Sequence, residues 1–290
     1  MFSLTRRHLT IISATVISLL LCWYIYQVNA YSAYSLLGML GALFANATGA
    51  GGGVIFIPAF QQLGITPEQS VATSFAIQCF GMTTGTVMWL NHAKTCRVED
   101  WSLLPSLSFL CLPFAILGIW TVYGLELSSP GSVSYLFAYF SIFIGVGLLY
   151  TGFKKLRSEK QKAPTQEKKQ VNYQDKMALV VLSYLGGILT AWLSVGVGEI
   201  IAFYLIFRGY RVTLAIAVAV VLSAGAVWSG IGYHIYENNI YWSVLYFAGP
   251  GAVIGGILAK KLATSIPVFQ LKMFFACWVF VAGSIELLVN

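Results

Sequence analysis

The chain is 290 residues long, 58% hydrophobic and only 9% charged, whereas a soluble domain carries about a quarter charged residues, so a water-soluble globular fold is excluded. The formal net charge of +7 does not point to nucleic acid, because the Lys and Arg lie in short loops beside apolar runs, where they orient a membrane protein. The five cysteines show no C-x-x-C spacing and read as small apolar packing residues.

Crossing roughly 30 Å of hydrocarbon takes about 20 helical residues. The first apolar run, residues 9–28, follows Arg6 and Arg7 and ends at Val28-Asn29-Ala30. It fits a signal-anchor helix, or a secretory signal with a small-residue cleavage site. Plain spans of sufficient length follow at 70–90, 101–123, 132–153, 212–235, 241–259 and 268–288. Two longer stretches, 34–63 and 177–207, are interrupted by glycine, at Asn46-Ala-Thr-Gly-Ala-Gly-Gly-Gly53 and at Ser194-Val-Gly-Val-Gly-Glu199. Neither is expected to be one straight helix. Between the halves, residues 154–176 hold eight Lys or Arg, a basic linker that belongs in the cytoplasm.

Charge decides how the interrupted stretches cross. If both are full spans and the N-terminus is inside, the basic linker lands outside, against the positive-inside rule. If each is a re-entrant hairpin, all 17 cations fall on one side, the opposite side keeps Glu68, Glu126 and Glu237, and Asn290 lies outside. The expected fold is therefore an all-α integral membrane protein with seven transmembrane helices plus two re-entrant helical hairpins in two inverted repeats. Its parts are an N-terminal signal-anchor segment at 1–33, repeat one at 34–153, the cytoplasmic linker at 154–176 and repeat two at 177–288. Weak internal similarity accompanies this: Gly49 and Gly51 align with Gly196 and Gly198, Gly64 with Gly209 and Ala72 with Ala217.

Non-helical backbone in a membrane survives only where protein buries it or water reaches it, and broken helices in such repeats carry the substrate site of many transporters. The second half-helices begin near Gly53 and Glu199, with free N–H groups and a positive dipole end suited to an anion. The same glycines also fit a role in tight helix packing alone. The following run, Ser70-Val-Ala-Thr-Ser74 with Gln78, puts Ser70, Ser74 and Gln78 on one helical face, as anion donors or as groups bonded to their own or a neighbouring helix. In the second half Ala215-Ile-Ala-Val-Ala219 with Ser223 is far less polar.

Candidate substrate-binding residues are thus Asn46, Thr48, Gly49, Gly51, Gly52, Gly53, Thr73, Ser74, Gln78, Ser194, Gly196 and Gly198. Glu199 reads as the only acid deep in the membrane, Glu286 lying near the end of the last span; it is either a coupling carboxylate that carries a proton or a helix-start acid held by the local dipole. His92 and His234 sit at span ends and read as solvated. No nucleotide loop, zinc-protease or Ser-nucleophile motif occurs, so no enzyme activity, metal or cofactor is expected.

Taken together, Gly38-x-x-Gly41, Gly49-Ala-Gly-Gly-Gly53-x-x-x-x-Pro58, Gly64 and Ser70-Val-Ala-Thr-Ser74, with a degenerate copy after the basic loop, resemble the TauE/SafE family of sulfite and organosulfur anion exporters. The resemblance covers about residues 34–288. It implies two homologous halves and export of sulfite, a sulfonate or a related small anion across the cytoplasmic membrane, coupled to an ion gradient. By matching position it points to Gly49 to Gly53, Thr73 and Ser74. The second half departs from the pattern at Glu199, where another glycine is expected, and at Ala217-Val-Ala219. An anion channel of the same architecture and a non-transporting accessory protein of sulfur metabolism are the competing readings; a homo-oligomer is compatible with any of them.

Overall fold

A computed structural model describes residues 31–96, 101–159, 168 and 170–289. Residues 1–30 of the expected N-terminal anchor segment and residues 160–167 and 169 of the basic linker lie outside the described residues. All regular structure among those described is α-helical: α1 (Ser32–Thr48), α2 (Gly53–Gln62), α3 (Pro67–Thr95), α4 (Leu103–Gly124), α5 (Val133–Glu159), α6 (Tyr173–Leu193), α7 (Val197–Phe207), α8 (Val212–Tyr236), α9 (Trp242–Ser265) and α10 (Val268–Val289). Five stretches are long and apolar enough to cross a membrane: α4, residues 133–150 of α5, α6, α8 and α9. Large apolar side chains such as Phe109, Phe143, Trp228 and Tyr246 are exposed, a surface that water would not tolerate and lipid matches. The chain is a multi-pass membrane protein.

Both glycine-rich stretches reverse direction. A side chain at Gly41 would strike the Phe56 ring, and one at Gly186 would strike Val197, so α2 folds back on α1 and α7 on α6. The limbs are unequal. At 1.5 Å per residue, α1 and α6 are about 26 and 32 Å long and α2 and α7 about 15 and 17 Å. That corrects the expectation of two short half-helices in each hairpin: α6 reaches span length by itself. The sequence hid its beginning, because Tyr173-Gln-Asp-Lys176 reads as linker.

Asp175 explains why that polar turn belongs to the hairpin. Its side chain is fully buried and accepts hydrogen bonds from Tyr204 (2.9 Å), Tyr210 (2.8 Å), Arg208 Nε (2.6 Å) and Lys168 Nζ (3.1 Å). One carboxylate thus ties the start of α6 to the end of α7. Burial and the Asp175 bond push the Tyr210 hydroxyl well above its ordinary range, keeping it a donor. In Asp175→Asn the amide nitrogen faces donors only, so the midpoint of thermal unfolding is expected to fall by several degrees; an unshifted midpoint would show that the tie contributes nothing. Glu286 is also buried, beside Gln61 and Ser134. Glu199 is therefore one of three buried acids among the described residues, the other two lying near the ends of α6 and α10.

The start of α3 follows from its sequence. Thr66 Oγ1 accepts from Gln69 N–H, Pro67 fills the first position, whose N–H has no helical partner, and Glu68 lies in the first turn. Helix α1 packs on α9 and α6 on α4, while α3, α8, α4 and α9 surround them and α5 pairs with α10. Both limb contacts bring backbone against backbone: Gly255 lies on the Met39 carbonyl and Gly118 on the Tyr184 carbonyl, the close approach small residues permit. Packing glycines therefore lie along the limbs, and the glycines at the breaks serve a different purpose.

Corresponding features recur at a fixed separation. Limbs α1 and α6 close on left-handed residues, Gly49 (φ 82°) and Ser194 (φ 58°), and limbs α2 and α7 end near left-handed Gly64 (φ 74°) and Gly209 (φ 86°). Each pair is separated by the same interval (194 − 49 and 209 − 64), as are Met39 and Tyr184. This corrects the sequence pairing of Gly49 with Gly196 by two positions. Gly51 corresponds to Gly196, Gly53 to Gly198, Gln78 to Ser223, and Glu199 to Val54, not to a glycine.

Candidate functional site

The two breaks meet. Ala50 and Val54 of the first hairpin and Leu193 and Val195 of the second share one buried apolar cluster with Phe75, Cys79 and Val227. Inside this collar lies a polar junction. The Glu199 carboxylate accepts the Gly51 N–H from the opposite hairpin at 2.6 Å on Oε1 and the Gly196 N–H of its own hairpin at 2.8 Å on Oε2. Gln78 of α3 accepts the Gly52 N–H at 2.8 Å and donates to the Ser194 carbonyl (3.1 Å), the Ser194 hydroxyl (2.8 Å) and Ser74 (3.1 Å). Ser194 donates in turn to Ser74 at 2.9 Å.

Close approach at the tips requires glycine in equivalent places. A Cβ at Gly53 would stand 2.7 Å from the Ser194 carbonyl oxygen, and one at Gly198 2.9 Å from the Gly49 carbonyl oxygen and against the Ser223 hydroxyl. Gly196 (φ 150°) has a backbone conformation L side chains rarely adopt. Ser194 is left-handed without being glycine, at a cost of about 1–2 kcal/mol, offset by Gln78 holding both its carbonyl and its hydroxyl.

The structure brings together Gly49, Gly51, Gly52, Gly53, Ser74, Gln78, Ser194, Gly196, Gly198 and Glu199. Thr48 stands at the break but donates to the Phe44 carbonyl at 2.6 Å, while its Oγ1 accepts from Ala50 N–H at 3.4 Å. Two candidates face elsewhere. Thr73 accepts the Tyr241 N–H at 2.9 Å and so holds the turn between α8 and α9; one residue from Ser74 along a helix is a rotation of about 100°. Asn46 donates to the Ala42 and Gly81 carbonyls (2.7 and 3.2 Å), with its Oδ1 against Gly85, while its own carbonyl accepts from the Trp89 indole at 2.9 Å. It joins α1 to α3. Ser70 lies at the outer turn of α3 and donates to the Ile65 carbonyl.

Sequence reasoning missed Thr190, whose hydroxyl accepts the Val197 N–H at 3.0 Å and donates to the Gly186 carbonyl at 2.8 Å. No spacing rule marks it, since it stands seven residues before the group it serves. His234, read as solvated, is 5% exposed and bonded to the Tyr123 hydroxyl at 2.9 Å beside the Phe75 ring. Sequence position at a span end said nothing of the neighbouring helices that cover it.

The chemistry available is recognition of a small anion. Gly51, Gly52 and Gly196 aim backbone N–H groups at the junction, Gln78, Ser74 and Ser194 supply neutral polar groups, and no ion pair at Glu199 occurs among the described residues. Glu199, Gln78, Ser74 and Ser194 are each at most 2% exposed, so these side chains are closed to solvent in this conformation. A narrow apolar cleft lined by Thr48, Gly51, Val54, Phe274 and Trp278 reaches the tip of the first hairpin.

The family model described as sulfite exporter TauE/SafE matches residues 34–285. No curated protein and no solved structure matches the chain significantly.

Proposed function

Because the chain belongs to the sulfite exporter TauE/SafE family, we propose that it is a secondary transporter that exports sulfite or a related small sulfur-containing anion across the cytoplasmic membrane by alternating access around the hairpin tips. The observation that carries this reading is the buried junction in which N–H groups from two chain reversals converge with hydroxyl and amide groups and, among the described residues, no paired cation. Such a site selects by charge and oxygen geometry, as helix N-termini do for oxyanions.

The constant interval between corresponding features supports two repeats, 34–153 and 177–288, and their inverted orientation agrees with the positive-inside rule, since two re-entrant hairpins would put all 17 cations on one side with the linker in the cytoplasm. In inverted repeats the two halves can exchange conformations, which opens the junction to one side and then the other. The contact of the tips and the burial of the junction side chains fit the occluded state that a carrier passes through. Glu199 is the group assigned to coupling: a carboxylate repels an arriving anion unless it takes up a proton or moves away.

The test is flux of labelled sulfite into proteoliposomes, with sulfate, thiosulfate and methanesulfonate as competitors, for the wild type and Glu199→Gln with and without a pH gradient. Saturable flux that responds to the gradient in the wild type and not in Glu199→Gln is expected. Equal gradient response in both would make Glu199 structural, and no flux of any anion would reduce the family relation to a shared fold.

A further inference from the structure

The cradle at the hairpin tips is built from two equivalent halves, but its occupant comes from only one. Gly51 and Gly196 stand at corresponding positions of the two hairpins, and their N–H groups grip the two oxygens of a single carboxylate at 2.6 and 2.8 Å. The position corresponding to Glu199 in the first hairpin is Val54, which has no polar group and packs in the collar. Two matched donors facing one two-oxygen anion form a site for a small monoanion, and the chain fills it with its own side chain.

The capping bond from Gly196 is what a helix-start Glu makes in any soluble protein. The bond from Gly51 is not, because it comes from the opposite hairpin across the junction where the tips separate. The carboxylate is also 2% exposed, with no cation against it among the described residues, so when ionised it is held by the same N–H groups an incoming anion would need. The Gln78 and Ser194 oxygens that share the space around Gly51 with it are uncharged, as is Ser223 of α8 against Gly198.

We propose that Glu199 is a tethered anion that occupies the solute's own binding position and latches the two hairpins shut, so that a small oxyanion binds only by displacing it. Displacement leaves the carboxylate buried without donors, and it takes up one proton from solution; the solute oxygens accept the Gly51 and Gly196 N–H groups in its place. Charge in the junction is then conserved at one negative unit throughout. The ligand class is a monoanion that presents two oxygens on one face: a sulfonate, bisulfite or a carboxylate. This inference rests on the transport reading for the location of the solute, but not for its sulfur chemistry.

The test is ligand-induced thermal stabilisation of the purified full-length protein in lipid nanodiscs, with methanesulfonate, sulfite and formate as probes between pH 5.5 and 8. A ligand that binds only the folded state stabilises it by RT ln(1 + L/Kd), where L is the free ligand concentration, and raises its melting point accordingly. Because the wild type takes up a proton for each anion bound, its affinity for methanesulfonate, which does not titrate in this range, is expected to weaken about tenfold per pH unit as pH rises above the carboxylate's own pKa. In Glu199→Ala the cradle is vacant, so methanesulfonate binds more tightly with a flat pH profile and formate binds as well. Glu199→Gln, which keeps the shape of the side chain, also loses the pH slope and serves if the alanine variant does not fold. Formate bound to the variants without any sulfur anion would uphold the tethered anion and sink the sulfur-anion reading. A pH slope that survives in the variants, or no gain in anion binding when Glu199 is removed, would overturn the proposal.

Discussion

Gly53→Ala is expected to abolish solute flux in proteoliposomes while leaving the protein inserted in the membrane. The added methyl group would stand 2.7 Å from the Ser194 carbonyl oxygen and 2.6 Å from a Val195 methyl. The first of these is backbone, which cannot rotate away. Overpacking of this kind costs about 1–3 kcal/mol, and here the cost falls on the conformation in which the tips touch. A shift of that size moves a two-state equilibrium by roughly 5- to 150-fold, since about 1.4 kcal/mol is a factor of ten. Gly198→Ala, the corresponding change in the second hairpin, meets the Gly49 carbonyl oxygen at 2.9 Å and is expected to act the same way. Wild-type flux in both variants would show that the tips need not close during the cycle.

Gln78→Leu carries the other large effect. Leucine keeps most of the volume but strands the Gly52 N–H and leaves the Ser194 carbonyl and hydroxyl without their donor. Buried groups left unpaired cost about 1–3 kcal/mol each. Flux is expected to fall at least tenfold and the melting midpoint to fall with it, because Gln78, like Glu199, bonds backbone of both hairpins. Gln78→Glu tests the charge logic separately. A second carboxylate beside Glu199 is expected to inhibit more at pH 8 than at pH 6, where protonation relieves the repulsion. Indifference of flux to either substitution would remove Gln78 from the site.

How much of this was legible in the sequence depended on which interactions were local. The breaks were legible because Gly-Ala-Gly-Gly-Gly and Val-Gly-Val-Gly cannot continue a helix unnoticed among long apolar runs, and their convergence followed from the intolerance of lipid for unpaired backbone. Ser74 and Gln78 fall on one face by helical spacing alone, and both reach the site. Thr73 did not, because its neighbour Ser74 fixes which face points inward and a hydroxyl one residue away turns toward the α8–α9 turn. Asn46 lay inside the conspicuous run yet bonds α3, since nothing in the run tells which side of α1 faces the tip.

The internal alignment was in register at Gly64 with Gly209 and Ala72 with Ala217 but was displaced by two positions at the breaks, for a physical reason. Glycines were matched to glycines, whereas the backbone matches left-handed Gly49 to left-handed Ser194, a conformation the serine holds only through its bonds to Gln78. Once that register is set, Gly51 and Gly196 become partners and the two-sided grip on Glu199 appears. The buried Asp175 was illegible for a related reason. Its four donors lie at 168, 204, 208 and 210, three of them on the far side of the hairpin.

The most direct test of an anion carried between the hairpins by alternating access is counterflow. Proteoliposomes loaded with unlabelled sulfite at high concentration are diluted into a trace of labelled sulfite, and internal label is followed in time. A carrier exchanges one solute for another at the same site, so the account predicts that label rises transiently above its equilibrium level and then decays, with saturation by external sulfite and loss of the overshoot in Gly53→Ala. A monotonic approach to equilibrium that scales linearly with concentration would contradict it and assign the same architecture to a channel.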